Sequence, residues 1–225
     1  MISRELFGND CDIAIIPSNK HHSIPCSIKM VSIRLATVED AEQIQAIYAP
    51  FCPDSPVTFE TIAPTVEEMG QRIHKLLTLF PWLVCHDKDK ILGYVYAAPH
   101  HERSAYQWSV NVSVYIHETA RRLGIGRALY TSLFKILQLQ GYYNAYAGIA
   151  LPNKASTRLH EAMGFELAGM YTNVGFKAGA WHDVAWLVLA LQEEFTNPTP
   201  PISISKLRNT DELESALKSG LILIR

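Results

Sequence analysis

Apolar positions along the chain switch between helical spacing and strict alternation, and most switches fall beside a turn residue. Val31 to Ala36 suit a first or edge strand. Thr37 then stands as an N-cap with Asp40 in the capping-box position, leading into Ala41, Ile44, Ile47 and Tyr48 at helical spacing. The Pro-flanked stretch 56–64 predicts a loop. A second capping box, Thr65 with Glu68, opens a helix whose stripe is Met69, Ile73, Leu76, Leu77 and Phe80, with Pro81 as its stop.

"WLVCH", "DKDK" and "ILGYVYAA" then predict an antiparallel hairpin. A strand over Gln107–His117 puts Val110, Val112, Val114 and Ile116 on one face and Asn111, Ser113 and Tyr115 on the other. A helix from Gly124 to Gln140 follows, stopped by Gly141, then a strand over Tyr143–Ala150. Next come a helix over Lys154–Met163 ended by Gly164 and strands over Phe165–Phe176 and Trp181–Leu191. Strands and helices mixed in this way predict an α/β (α+β) domain over residues 30–192. Residues 1–29 show little periodicity and form an N-terminal extension, with Met1 and Met30 both available as starts. Residues 193–225 read as a linker and a tail, with one short amphipathic helix within 210–224.

Composition narrows the class. At 225 residues and 48% hydrophobic, the chain can bury one substantial core. A formal net charge of -2 and the lack of a basic stripe with exposed aromatics argue against a nucleic-acid binder. No apolar run approaches the ~18 residues needed to span a bilayer, so no membrane association is expected. Cys11, Cys26, Cys52 and Cys85 are scattered without a C-x-x-C pair, which favours a reducing cytoplasm and gives no covalent nucleophile with a neighbouring base. The adjacent pairs His21–His22 and His100–His101 lack a third ligand at metal spacing, so no metal is expected.

The densest chemistry lies in "ARRLGIGRAL", residues 120–129. Strand, glycine turn and helix leave unpaired backbone N–H groups converging on one point, and the helix dipole adds positive charge there. Arg121, Arg122 and Arg127 can add charge-assisted hydrogen bonds. A Rossmann turn needs a third glycine where Leu129 stands, and a Walker A loop needs a G-K-[ST] ending that is absent.

The R-x-x-G-x-G of Arg121–Gly126 instead resembles the pyrophosphate turn of GNAT-family acyl-CoA transferases. "NKASTRLHEAMGF" (153–165) is similar to that family's next signature, about thirty residues on. "PVTFET", "PWLV", "RSAYQWSV", "VYI", "RLHEAMGF" and "GFKAGAWHDV" resemble its phosphinothricin and methionine-sulfoximine N-acetyltransferase branch, over about residues 30–192.

The resemblance implies a GNAT fold: a mixed, largely antiparallel sheet flanked by helices and splayed where acetyl-CoA, the co-substrate, enters. It implies direct acetyl transfer to the α-amino group of a small amino-acid-like substrate, in a homodimer. Val114, Tyr115 and Ile116 would pair with the pantetheine arm, and an N–H of this strand would receive the thioester oxygen. Arg122, Leu123, Gly124, Ile125, Gly126 and Arg127 would hold the pyrophosphate, with Arg121 at the mouth and Asn153 on the pantetheine arm. Arg103 suits a substrate carboxylate, and Phe59 would wall the amino-acid pocket.

One position departs from the branch. Where the strand supplies a glutamate, this chain has Asn111, and an amide accepts no proton near neutral pH. A water ordered by Asn111 would then relay the proton, or His160, which the resemblance places where many family members have a tyrosine that protonates the leaving thiolate, would take part. The alternatives are another acceptor, such as a polyamine or a protein N-terminus, or an acetyl-CoA-binding protein with weak turnover.

Overall fold

The computed structural model describes residues 31–193 and 196–225, so the N-terminal extension with Cys11, Cys26, His21 and His22 lies outside the described residues. The strands are β1 (Val31–Leu35), β2 (Trp82–Asp87), β3 (Lys90–Pro99), β4 (Ser109–Ile116), β5 (Asn144–Ala150), β6 (Glu166–Lys177) and β7 (Ala180–Ala190). They form one sheet in the order β1-β2-β3-β4-β5-β7-β6, antiparallel throughout except where β4 lies parallel to β5. Parallel neighbours require a crossover, and α3 (Ile125–Gln140) provides it.

Each face of the sheet carries its own core. On one face α3 buries Leu129, Leu133, Ile136 and Leu137 against Val95, Val110 and Val112, the apolar side of the alternating strand. On the other face lie α1 (Ala41–Tyr48) and α2 (Val66–Leu76), which bury Ile44, Ile47, Met69 and Ile73 over Trp82, Val84 and Tyr94. Both expected capping boxes form: the Thr37 N–H donates to Asp40 Oδ2 at 2.8 Å, and the Thr65 N–H to Glu68 Oε2 at 2.7 Å. Arg34 adds a bidentate pair to Asp40 at 2.6 and 2.7 Å, fixing the entry to α1. Gly124 (φ 84°) and Gly141 (φ 91°) bound α3 in left-handed conformations that a Cβ would disfavour.

Two expectations are revised. Helix α2 stops at Leu76, before Pro81, where the Leu76 C=O is shared by the Leu79 and Phe80 N–H groups at 3.0 and 2.7 Å. The Leu79 C=O accepts from the Ile204 N–H at 3.1 Å and from Gln140 Nε2 at 2.9 Å. The segment read as a tail instead holds two helices, α5 (Ile204–Leu207) and α6 (Asp211–Lys218), and joins the core beside α3 through Ile204, Leu207, Leu213 and Ala216. A Cβ on Gly220 would stand 2.0 Å from the Ala128 carbonyl oxygen, and the Arg225 N–H donates to the Leu123 C=O at 3.0 Å. The sequence showed amphipathicity here but not its destination.

Ile204 has no solvent exposure. Ile204→Ala should therefore lower the unfolding free energy by about 2–5 kcal/mol, the range for emptying a buried aliphatic site. Urea titration checks this; a loss below 0.5 kcal/mol, the scale of a surface substitution, would mean that the segment does not pack there.

Candidate acyl-transfer cleft

The feature that makes a site of this sheet is an interrupted ladder. β4 pairs with β5 only at Ser109, Val110 and Asn111, although both strands continue beyond that point. β5 keeps full pairing with β7 from Asn144 to Ala150, and β4 pairs with β3 from Val110 to Ile116. The split therefore opens between β4 and β5 alone. A cleft of about 380 Å³ fills it, lined by Val112–Ile116 on one side and Ala147–Ala150 on the other. The edge of β4 facing the cleft is an unpaired strand edge, able to take an extended amide-bearing chain as an added strand. Val114, Tyr115 and Ile116 lie on that edge.

Where β4 ends, the anion turn begins. Arg122 (φ 64°) and Gly124 (φ 84°) adopt left-handed conformations, a backbone alternation that turns successive N–H groups toward one concavity. No carbonyl among the described residues accepts from the N–H groups of Arg122, Leu123, Gly124, Ile125, Gly126 or Arg127. Arg121 lines the cleft, while the Arg122 and Arg127 side chains are exposed. At Gly126 a Cβ would come within 3.1 Å of Leu159 Cδ2, so the glycine lets α4 (Lys154–Ala162) close on the turn. An oligophosphate fits this combination of oriented N–H groups, helix N-terminus and guanidinium groups.

Helix α4 forms the far wall. Asn153 caps it, its Oδ1 accepting from the Ser156 N–H at 3.1 Å. His160 is buried, with Nδ1 donating to the Ser156 C=O at 2.8 Å and Nε2 2.8 Å from the Tyr130 hydroxyl. Burial lowers its pKa below the ordinary imidazole value, against the Ser156 carbonyl bond, which raises it. The ring is therefore neutral at pH 7, and both its nitrogens are engaged.

At the vertex of the split stands Asn111. Its Nδ2 donates to the Pro99 C=O at 3.4 Å, and its Oδ1 lies 2.9 Å from His100 Nδ1. The His100 ring stacks on Tyr146 of β5, the register partner of Asn111, at 4.2 Å and 19°. Trp186 contacts His100 edge-on, and its indole N–H is buried without a partner among the described residues.

The stretch "GFKAGAWHDV" has a structural explanation. Lys177 Nζ is buried and donates to the carbonyls of Phe51, Thr58 and Glu60 at 3.2, 2.6 and 2.8 Å. It ties the 51–60 loop to the β6–β7 hairpin. A Cβ on Gly175 would come within 2.3 Å of the Phe59 ring, so that glycine makes room for Phe59. His182 places Nε2 3.0 Å from the Lys177 carbonyl oxygen, and Asp183 Oδ1 accepts from the Asn173 N–H at 2.7 Å; both serve the hairpin. Arg103 lies exposed in a second cavity, of about 640 Å³, with His100, His101 and Tyr106.

Cys52 and Cys85 are buried thiols, and burial pushes Cys85 up to about 12, far from a thiolate at neutral pH. Among the described residues no group of three His, Cys, Asp or Glu could hold a metal. Lys177, Tyr130, Tyr146 and Trp186 received no role from the sequence. Lys177 had a signal, a cation inside an otherwise apolar and glycine-rich stretch. The aromatic trio had none: Tyr146 and Trp186 reach His100 across the sheet from β5 and β7, and Tyr130 reaches His160 from α3.

A split mixed sheet with a glycine turn and helix N-terminus at the end of one arm defines an acyl-CoA transferase of the GNAT type, and the family comparison agrees. Residues 33–186 match the acetyltransferase (GNAT) domain family, to which the chain belongs. Phosphinothricin N-acetyltransferase of Streptomyces viridochromogenes is 38% identical over 171 residues, covering 76% of this chain and 91% of that protein. L-methionine sulfoximine/L-methionine sulfone acetyltransferase of Pseudomonas aeruginosa is 30% identical over 169 residues, covering 74% and 98%. The crystal structure of a GNAT superfamily phosphinothricin acetyltransferase from Sinorhizobium meliloti, in complex with AcCoA, superposes with a TM-score of 0.72 at 32% identity, covering 76% and 95%.

Lys177→Met should leave three carbonyls of the 51–60 segment without their donor, each lost partner costing about 1–3 kcal/mol. Faster amide exchange across residues 51–60, with the β4–α3 region unchanged, is expected by hydrogen-exchange mass spectrometry. Unchanged exchange there would rule out the tether.

Proposed function

We propose that the chain transfers the acetyl group of acetyl-CoA directly to the α-amino group of a small amino acid of the phosphinothricin or methionine sulfoximine type. The observation that carries this is the free β4 edge opening at Val112 and ending in the anion turn, because one continuous groove then fits both a pantetheine arm and a pyrophosphate. The relatives' named substrates supply the acceptor class.

Within this reading Arg122, Leu123, Gly124, Ile125, Gly126 and Arg127 hold the pyrophosphate. Val114, Tyr115 and Ile116 pair with the pantetheine amides, with Arg121 and Asn153 at the groove's sides. An N–H on the opened arm of β4 receives the thioester oxygen as negative charge grows there. Arg103 takes the acceptor's carboxylate, and Phe59, held against Gly175, walls the acceptor side. His160, neutral and with both ring nitrogens engaged by Ser156 and Tyr130, is a polar wall of the cleft and takes no proton from the amine. The transfer uses no metal.

The assembly is a homodimer. Leu167, Phe176 and Trp181 of β6 and β7 are 63%, 61% and 61% exposed, an apolar surface suited to a second copy. A reducing, cytoplasmic setting fits the buried free thiols Cys52 and Cys85.

Thiol release from acetyl-CoA should occur with L-phosphinothricin and L-methionine sulfoximine, and calorimetry should detect acetyl-CoA binding. The double variant Arg121→Ala, Arg127→Ala should weaken that binding roughly tenfold, as expected when ~1.4 kcal/mol of charge-assisted contact is lost. Turnover confined to polyamines or peptide N-termini would overturn the substrate class, and binding without turnover on any amine would leave an acetyl-CoA-binding protein. Light scattering should give twice the 25.2 kDa chain mass, reduced to one chain by Trp181→Asp; a monomeric parent would exclude the dimer.

A further inference from the structure

We propose that His100 is the general base that takes the proton from the acceptor's ammonium group, and that Asn111 positions it. The inference rests on the acetyltransferase reading and assigns the step for which that reading has no group. Direct transfer needs a neutral amine, and Asn111 cannot accept the proton itself.

The hydrogen bonds around Asn111 fix both orientations. Its Nδ2 faces the Pro99 carbonyl, so its Oδ1 faces His100. The reversed amide would set two oxygens against each other and place an N–H₂ against the imidazole. Oδ1 can only accept, so His100 Nδ1 carries the hydrogen at 2.9 Å. The neutral ring then holds its lone pair on Nε2, which has no hydrogen-bond partner among the described residues. Tyr146 stacks beneath the ring and Trp186 meets its edge, which holds its plane. A histidine held in one tautomer by an acceptor on the far nitrogen has the arrangement of a general base.

The location is also suitable. Asn111 is the last β4 residue paired with β5, so it and His100 sit at the vertex, next to Val112 where the cleft begins. His100 also lines the cavity holding Arg103, the proposed carboxylate partner. An α-amino acid with its carboxylate on Arg103 would keep its ammonium group between that cavity and the vertex. His160 offers no comparable free nitrogen. Titratable and charged groups near His100 are His101, Glu102, Arg103 and Tyr106 of its own loop, Tyr142 beside that loop, and Tyr146 of β5. β4 and β7 contribute the uncharged Asn111 and Trp186.

The ammonium gives one proton to His100 Nε2, which later passes it to water. The freed nitrogen lone pair forms the C–N bond, the C–S bond breaks, and the departing sulfur receives a second nitrogen proton. Amide, free thiol and one proton in solution result.

The test compares wild type with His100→Phe and His100→Gln in the acetyl-CoA and amino-acid assay across pH 6 to 9.5. Phe keeps a flat ring on Tyr146, and Gln keeps a polar side chain. Both should bind acetyl-CoA as wild type does and lose kcat/KM by ~10²-fold or more at pH 7. The loss should shrink at high pH, where the amine loses its proton unaided. Asn111→Asp puts a carboxylate against Nδ1–H and should move the acid limb of the profile upward by about one pH unit or more. Nitrogen NMR should show the Nδ1–H tautomer in the wild type and its loss in Asn111→Leu.

Variants at His100 within threefold of wild type with the same pH profile, or an Nε2–H tautomer in the wild type, would overturn the base assignment while leaving the acetyltransferase standing. Absence of wild-type turnover on every amine, with acetyl-CoA still bound, would overturn the enzyme reading and the base with it.

Discussion

Three residues of parallel pairing, Ser109 to Asn111 against Asn144 to Tyr146, hold the two halves of the sheet together, and the rest of the site follows from where that pairing stops. A central strand normally spends both edges on neighbours. β4 keeps its β3 edge complete and leaves the other edge open beyond Asn111, exposing main-chain donors and acceptors inside the molecule. Buried backbone groups without partners are costly, so such an opening is stable only as a solvated groove or a ligand-filled one. Both strands of the opening are anchored on their outer sides, which is why the groove has a fixed width rather than closing.

What surrounds the split keeps it productive. α3 starts just beyond the opened strand, so the glycine turn and the free edge lie in line. α4 seals the far side, and Gly126 permits its approach. The 51–60 loop is built differently: with no strand to hold it, it is tied down by Lys177. A buried ammonium group is expensive unless its hydrogens are all satisfied, and here three carbonyls do that. The same contacts hold Phe51 and Val57 of this loop in the wall of the cleft.

At the vertex, an amide that looked like a lost carboxylate becomes intelligible from its neighbour. Asn111 accepts from one ring nitrogen of His100, so the chemistry the strand lacks can reside one residue beyond β3. The α5–α6 segment makes a similar point on the opposite face. It supplies core to α3 and reaches the back of the glycine turn through Arg225 and Leu123, so it is continuous with the domain.

Local order was legible in the sequence. Alternation on β4, helical spacing on α3, both capping boxes and the glycine turn are set by contacts a few residues apart, and the chain shows them directly. The strand–glycine turn–helix geometry of residues 121–127 was legible for the same reason, since these elements are contiguous. What the sequence alone could not show was any partnership across the sheet. His100 with Asn111 and Tyr146, Lys177 with the 51–60 carbonyls, and Ile204 with the core all join residues brought close only by strand order and register. Side-chain pattern determined which elements form and which face each buries. Only the tertiary structure decided where the ladder breaks and which nitrogen is left free, because hydrogen-bond satisfaction there depends on neighbours far away in the chain.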